Sequence, residues 1–398
     1  MSSVQTVCLT PEQGKSAIRS MVKVNLNNAK LGKKRRGLFM WGPPGVAKSS
    51  ITEQICRELN YKLIDVRLIQ MDPTDLRGLP VPQKSAENPA EVLVRWAVPS
   101  FFPRKEEGSD YAIIKKKDGT TYDGAIILLD ELPNAAPTVQ AASYQLVLDG
   151  ALGDYELPNN VIVMAAGNRE IDQSSTFKMP LPLQNRFTHI EIKSSFEDWQ
   201  RHAITHGFDS SVVGFLSAFN HHLNIDSYSK VNTRGFTTPR SWETASDILR
   251  DCADDDAFIL QSLIGGTIGE GVASEFFTYR ALTFDLPAAA DILDGKVKTL
   301  PNQDGKIKTN LSFALATSLC YELKARYDAS VGKSSNSKEV KHLNDSFDNF
   351  LAFCMDNFKK EIVVMAVRTA ISTFNIMPDI VALKVWDRFN AEFEDVLL

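Results

Sequence analysis

Several short stretches of this chain hold residue types, at spacings, that suit the handling of phosphate. The first is Gly42-Pro43-Pro44-Gly45-Val46-Ala47-Lys48-Ser49, followed by Ser50. It fits the pattern G-x-x-x-x-G-K-[ST] except that Ala47 stands at the second glycine. The apolar run Gly37 to Trp41 precedes it and suits a buried strand, and Ile51, Ile55, Cys56 and Leu59 follow at helical spacing. A strand–loop–helix of this kind turns backbone N–H groups and a helix N-terminus toward an anion. Lys48 would reach the outer phosphates, the Ser49 hydroxyl would sit on Mg²⁺, and the backbone from Gly42 to Ser50 would line the cradle. Ala47 lies where the helix begins, so right-handed backbone geometry is expected there. The plainer alternative is a Gly/Pro turn that merely precedes a lysine.

The second stretch, Ala125-Ile126-Ile127-Leu128-Leu129-Asp130-Glu131, is an apolar strand ending in two carboxylates. A buried parallel strand presents such residues at its carboxyl end, beside the phosphate loop. Asp130 would hold Mg²⁺ through its water shell, and Glu131 would orient and polarise an attacking water. Acidic residues also end ordinary strands; the loop upstream is what gives this pair weight. The third stretch, Val161 to Gly167, is another apolar run, and it leads into Asn168. Asn168 reads as a contact to the same water or to the γ-phosphate, or as a turn residue after glycine. Arg186, in Leu183-Gln184-Asn185-Arg186-Phe187, stands before a strand. Its guanidinium could supply transition-state charge at a neighbouring subunit's γ-phosphate, or make a surface salt bridge, and Arg169 is the next candidate for the first role. In Thr238-Pro239-Arg240-Ser241-Trp242 the proline suits an early helix position, which puts Arg240 in a first turn.

The elements that must position these residues alternate. Strands are expected at Gly37–Trp41, Lys62–Arg67, Ala125–Leu129, Val161–Ala165 and Thr188–Ile192, with helical runs between them. That is the pattern of a mostly parallel sheet covered by helices. Two inserts interrupt it. One is rich in turn signals from Asp72-Pro73 through Pro89 to Pro103 and holds the strand-like Val92–Trp96; the other, Leu148–Asn160, carries Asp149-Gly150 and Gly153-Asp154 and reads as a hairpin. Helices are expected at Pro11–Val24, Phe196–His206, Val212–Leu223 and Ser241–Cys252. A glycine-rich break at Gly265-Gly266 to Gly271 should precede a helix near Ala273–Leu282, and turns recur at Asp294-Gly295 and Asp304-Gly305. Beyond Leu311 two long helical stretches flank the polar linker Gly332–Lys338, and Leu351, Cys354, Phe358, Ile362 and Met365 are spaced as a packing face. The expected domains are an N-terminal helical lead-in (1–36), an α/β core (37–195) with inserts near 72–104 and 148–160, a helical lid (196–300) and a helical C-terminal extension (301–398).

At 398 residues the chain is long enough for two or three cores, and its 43% hydrophobic and 23% charged content is ordinary for a soluble globular protein. A net charge of −5 gives no global attraction to nucleic acid. The local basic run Lys30, Lys33, Lys34, Arg35 and Arg36 reads as a solvated lead-in, or as a nucleotide-proximal or partner-binding patch. Five scattered cysteines without a C-x-x-C pair point to reduced thiols in a cytoplasmic protein, not to a disulfide frame or zinc site. The adjacent His221-His222 pair points apart on a helix and does not suit metal. No stretch has the length and apolarity of a signal peptide or membrane span, so no membrane association is expected.

Taken in order, the phosphate loop, Asp130-Glu131, Asn168, Arg186 and Arg240 resemble the Walker A, Walker B, sensor 1, arginine finger and sensor 2 motifs of AAA+ ATPases. Met71 to Pro80 and Trp96-Ala97-Val98-Pro99 resemble the insert of the MoxR-type branch, and Leu148–Asn160 resembles its hairpin before sensor 1. The resemblance spans about residues 11–300. It implies a P-loop NTPase sheet covered by helices, an all-helical lid, and a homo-oligomeric ring, most often a hexamer, that hydrolyses ATP with Mg²⁺ between subunits. It also implies roles in cis for Lys48, Ser49, Asp130, Glu131 and Asn168, in trans for Arg186, and as a nucleotide reporter in the lid for Arg240. Such proteins remodel a partner, often one with a von Willebrand factor A domain. Two departures stand out: Ala47 in place of glycine, and a helical tail from about residue 308 that matches nothing in the branch. A nucleotide-gated scaffold with little hydrolysis is the alternative, and a nucleic-acid motor ranks behind it.

Overall fold

The computed structural model describes residues 7–84, 92–153, 155–172, 177, 179–225, 233–252, 256–283, 286–300, 309–335 and 337–397. The turn signals at Pro89, Asp154 and Asp304-Gly305 lie outside them. Two compact units emerge, one within residues 7–195 and one within residues 196–397.

The first unit contains, in chain order, β1 (Cys8–Leu9), β2 (Gly37–Trp41), β3 (Tyr61–Arg67), β4 (Leu79–Lys84), β5 (Val92–Ala97), β6 (Ile114–Lys115), β7 (Thr121–Tyr122), β8 (Gly124–Asp130), β9 (Ala151–Leu152), β10 (Tyr155–Glu156), β11 (Val161–Gly167) and β12 (Phe187–Ile192). Six of these make one sheet in the order β1-β12-β2-β11-β8-β3, with every neighbouring pair parallel. The other six form three antiparallel ribbons, β4–β5, β6–β7 and β9–β10. The helices of this unit are α1 (Pro11–Lys30), α2 (Lys48–Glu58), α3 (Pro73–Arg77), α4 (Pro137–Asp149) and α5 (Leu181–Gln184).

The apolar runs read from the sequence are central strands because both of their faces are covered. Side chains alternate between faces along a strand. Leu38, Met40, Ile126, Leu128, Ile162 and Met164 pack with Ile18 and Val22 of α1 and Ile51 and Ile55 of α2. Phe39, Ile127, Leu129, Val161, Val163 and Ala165 pack with Val139, Ala142 and Leu146 of α4 on the other side. With no polar face left, β8 and β11 lose the alternation that would mark a half-exposed strand.

Four local features differ from the sequence reading. Cys8–Leu9 joins the sheet edge beside β12, which puts part of the lead-in within the sheet. Helix α1 runs on to Lys30 rather than ending at Val24. Its polar end binds the returning chain, with Asn25 Nδ2 donating to the Arg36 carbonyl at 2.9 Å and Asn28 Nδ2 to the Lys34 carbonyl at 3.1 Å. Arg35 in the basic run is structural: it donates to the carbonyls of Leu157 (2.7 Å) and Pro158 (2.9 Å), and burial lowers its pKa from the ordinary arginine value. Leu148 and Asp149 end α4, so the second hairpin proper is β9–β10.

The second unit is helical: α6 (Phe196–Thr205), α7 (Ser210–Ala218), α8 (Pro239–Asp251), α9 (Ala257–Ile268), α10 (Glu270–Thr283), α11 (Ala289–Leu293), α12 (Thr309–Ser330), α13 (Lys338–Asn357), α14 (Lys360–Arg368) and α15 (Trp386–Leu397). One apolar cluster centres on Phe215, Trp242 and Phe276, and another on Leu319, Phe347, Phe350 and Phe389. Helix α7 stops at Ala218, and a separate 3₁₀ turn covers Asn220–Leu223. The glycine break falls at Gly269, whereas Gly265 and Gly266 sit inside α9. The close backbone approach constrains Gly235 instead: a Cβ there would meet the Gly266 carbonyl oxygen at 2.3 Å, whereas one on Gly266 would meet nothing within 4 Å. The two long stretches expected beyond Leu311 are α12 and α13, and α14 and α15 follow them. Leu351, Cys354 and Ile362 are buried in the second cluster, with Phe358 and Met365 packed against it. Among the described residues no helix is long and apolar enough to cross a membrane.

Candidate functional site

The carboxyl ends of β2, β8 and β11, three adjacent strands, release the three stretches that suited phosphate chemistry. β2 ends at Trp41, and Gly42 to Ala47 loop over to α2, whose first residue is Lys48. Lys48 is buried, with 8% exposure. Its Nζ donates to the carbonyls of Gly42 (2.8 Å) and Pro43 (3.0 Å) and to Asn168 Oδ1 at 2.9 Å. The alkyl stem is thus covered, and the charge is held at the mouth of the loop by oxygens that stronger anionic acceptors could replace. Ser49 Oγ donates to Asp130 Oδ2 at 3.0 Å, bringing the helix start to the end of β8. Ser50 is exposed in the next position of α2.

Asp130 and Glu131 are divided by a change of backbone. Asp130 closes β8, and Glu131 turns left-handed at φ 58°, ψ 31°. The turn lets Asp130 Oδ1 accept the Glu131 amide N–H at 3.0 Å and swings the Glu131 carboxylate away from the Mg²⁺-type position. Its two oxygens accept from Asn134 Nδ2 at 2.7 Å and Asn168 Nδ2 at 3.4 Å. Asn168 therefore bridges Lys48 and Glu131, one amide end to each. Asn134 was not singled out in the sequence, although a lone amide in Leu132-Pro133-Asn134, three residues past a carboxylate, is a readable signal.

The donor set fits magnesium. A serine hydroxyl and a carboxylate oxygen 3.0 Å apart are hard ligands of the kind Mg²⁺ takes in small number, alongside phosphates and water. Asp65, on neighbouring β3, has its carboxyl pushed above the usual range, first by burial and then by the charge of Asp130. That crowding of negative charge favours a cation.

Against this geometry, residues 38–194 match the family described as ATPase family associated with various cellular activities (AAA). These residues are an AAA ATPase domain. Structurally similar proteins include the Thermotoga maritima RuvB Holliday junction branch migration motor, at 15% identity over 78% of this chain and 88% of that chain with a TM-score of 0.33. An arginine-to-alanine variant of the same RuvB matches at 15% identity over 79% and 88% with a TM-score of 0.34. No curated protein sequence matches the chain.

The arginines fall into distinct settings. Arg169 is engaged: Nη2 and Nε donate to the two Asp172 oxygens at 2.6 and 2.9 Å, and Nη1 donates to Glu191 at 2.6 Å. Arg186 is exposed immediately before β12, and no salt bridge holds it among the described residues. Arg240 belongs to the helical unit, exposed in the first turn of α8, where Thr238 caps the helix by accepting from the Ser241 amide at 3.0 Å.

Ala47 corrects the sequence reading. Its backbone is left-handed, φ 69° and ψ 23°, not right-handed as expected for a helix start. The loop keeps a turn that glycine takes freely, and the alanine methyl is forced into it at about 1–2 kcal/mol. Ala47→Gly should therefore raise the stability of this unit by about 1 kcal/mol net of the extra unfolded-state entropy. Urea unfolding reads it as a higher midpoint; an unchanged or lower midpoint would contradict strain at Ala47.

Proposed function

We propose that this chain is a MoxR-like AAA+ ATPase that hydrolyses ATP at the subunit interfaces of a cytoplasmic ring and remodels a partner protein.

 The observation that supports this reading is the buried bridge Lys48–Asn168–Glu131, beside Ser49–Asp130, at the carboxyl ends of three adjacent strands. A binding module needs the lysine and the serine; a carboxylate aimed by two amides next to them suits turnover.

In this reading the phosphates of ATP replace the loop carbonyls as acceptors for Lys48, and the loop N–H groups from Gly42 to Ser49 bind phosphate oxygens. Ser49 and Asp130 would hold Mg²⁺, which neutralises charge on the phosphates. Glu131 takes the attacking water, and Asn168 stays within reach of both Lys48 and that water. Arg186 of one subunit meets the γ-phosphate bound by the next, and Arg240 follows nucleotide from a lid formed by residues 196–300. Residues 301–398 select the target, for which a protein with a von Willebrand factor A domain is the favoured class, and the ring is a hexamer.

ATP turnover per subunit, measured against protein concentration, tests the reading. A specific rate that climbs and then saturates is expected, because each site is completed by a neighbour. A flat, near-zero rate at every concentration would instead favour a nucleotide-gated scaffold.

A further inference from the structure

We infer that Trp41 and His189 couple the occupancy of a subunit's own phosphate loop to the placement of the Arg186 that it offers to a neighbour. The part concerning the neighbour rests on the ring-ATPase reading above. Trp41 is the last residue of β2 and is bonded directly to Gly42. Its indole Nε1 donates to His189 Nδ1 at 2.9 Å. Indole N–H can only donate, so Nδ1 is the acceptor and the ring proton sits on Nε2. That Nε2–H donates to the Gln184 carbonyl at 2.8 Å. Gln184 ends α5, two residues before Arg186, and its side-chain amide donates to the Met179 carbonyl at 2.8 Å. A continuous chain of hydrogen bonds therefore runs from the phosphate loop to the segment that carries the arginine.

The rings are held so that a shift at one end is passed on. Trp41 stacks on Phe39 with centroids 4.2 Å apart, and His189 lies 5.6 Å from Phe39 and 6.1 Å from Trp41. The strand that begins just after Arg186 is gripped a second time: Glu191, opposite Trp41 in the β12–β2 register, accepts from Arg169, the residue after Asn168. Both loops that face the phosphates thus hold β12. Bracing alone would make these contacts matter for stability. Coupling makes them matter for how one site responds to another, which is a separate quantity.

Trp41→Phe keeps the ring stack and removes only the donor. His189→Gln breaks the same chain one step further on, and carries the comparison if Trp41→Phe does not fold. Turnover of the full chain is measured against ATP concentration, beside equilibrium binding of a fluorescent ATP analogue. Wild type should respond sigmoidally, and both variants should fall to a Hill coefficient of about 1 with analogue affinity changed by less than about twofold. A hyperbolic wild type, or variants that keep the wild-type Hill coefficient, would overturn the coupling. Arg186→Ala separates the two levels. If it is inactive while Trp41→Phe stays sigmoidal, only the coupling fails; if it turns over as wild type, the ring reading fails.

Discussion

Arg186→Ala is expected to lower ATP turnover by about 10³–10⁵-fold while nucleotide binding stays within about twofold of wild type. The size follows from what a guanidinium does in phosphoryl transfer. Charge builds on the transferring group only in the transition state, so a cation placed there lowers the barrier without tightening the ground state. The structure leaves Arg186 suited to that task. It is exposed, it directly precedes a core strand that fixes its backbone, and no salt bridge engages it among the described residues. Arg169, the residue after Asn168, is already committed to Asp172 and Glu191. Steady-state turnover with a parallel binding titration checks the prediction. Wild-type turnover in Arg186→Ala would remove Arg186 from the site.

Glu131→Gln is expected to cost about 10²–10⁴-fold in turnover and to retain bound ATP. The substitution is nearly isosteric and leaves Lys48, Ser49 and Asp130 as they are, so binding should survive. What it removes is the carboxylate that polarises water. Asn134 and Asn168 donate to that carboxylate at 2.7 and 3.4 Å, which fixes its direction, and an amide in its place meets two donors with only one acceptor oxygen. Nucleotide recovered from the purified variant after brief incubation should be ATP, where wild type yields ADP. Turnover equal to wild type would refute the role of Glu131.

Much of this site was legible in the sequence because its chemistry sits at the ends of fully apolar runs. Ile126 to Leu129 and Val161 to Ala165 are covered on both faces, and continuous apolar sequence is what such strands require. Asp130 and Asn168 then stand out as the first polar residues. Features set by tertiary contacts were not legible. Cys8–Leu9 is too short to show alternation, and the end of α1 is held by Asn25 and Asn28 binding backbone rather than by an apolar stripe. The left-handed turn at Ala47 is dictated by the loop against the preference of alanine, so residue type pointed the wrong way. Gly265 and Gly266 looked like a break because glycine is costly in helices, yet α9 runs through them, anchored by Leu260, Ile264 and Ile268 buried in the core. The Trp41–His189 contact joins residues brought together by the fold, and no local spacing marks it.

The central claim is that each active site is built from two subunits, with Glu131 from one and Arg186 from the other. Mixing Glu131→Gln with Arg186→Ala subunits tests it most directly. Each variant alone should be inactive. In a mixed ring, an Arg186→Ala subunit that keeps Glu131 can lie beside a Glu131→Gln subunit that keeps Arg186, and that interface is complete. Equimolar random mixing should restore about a quarter of wild-type turnover if interfaces act independently. A mixture as inactive as its components, under conditions where the subunits co-assemble, would contradict a shared site.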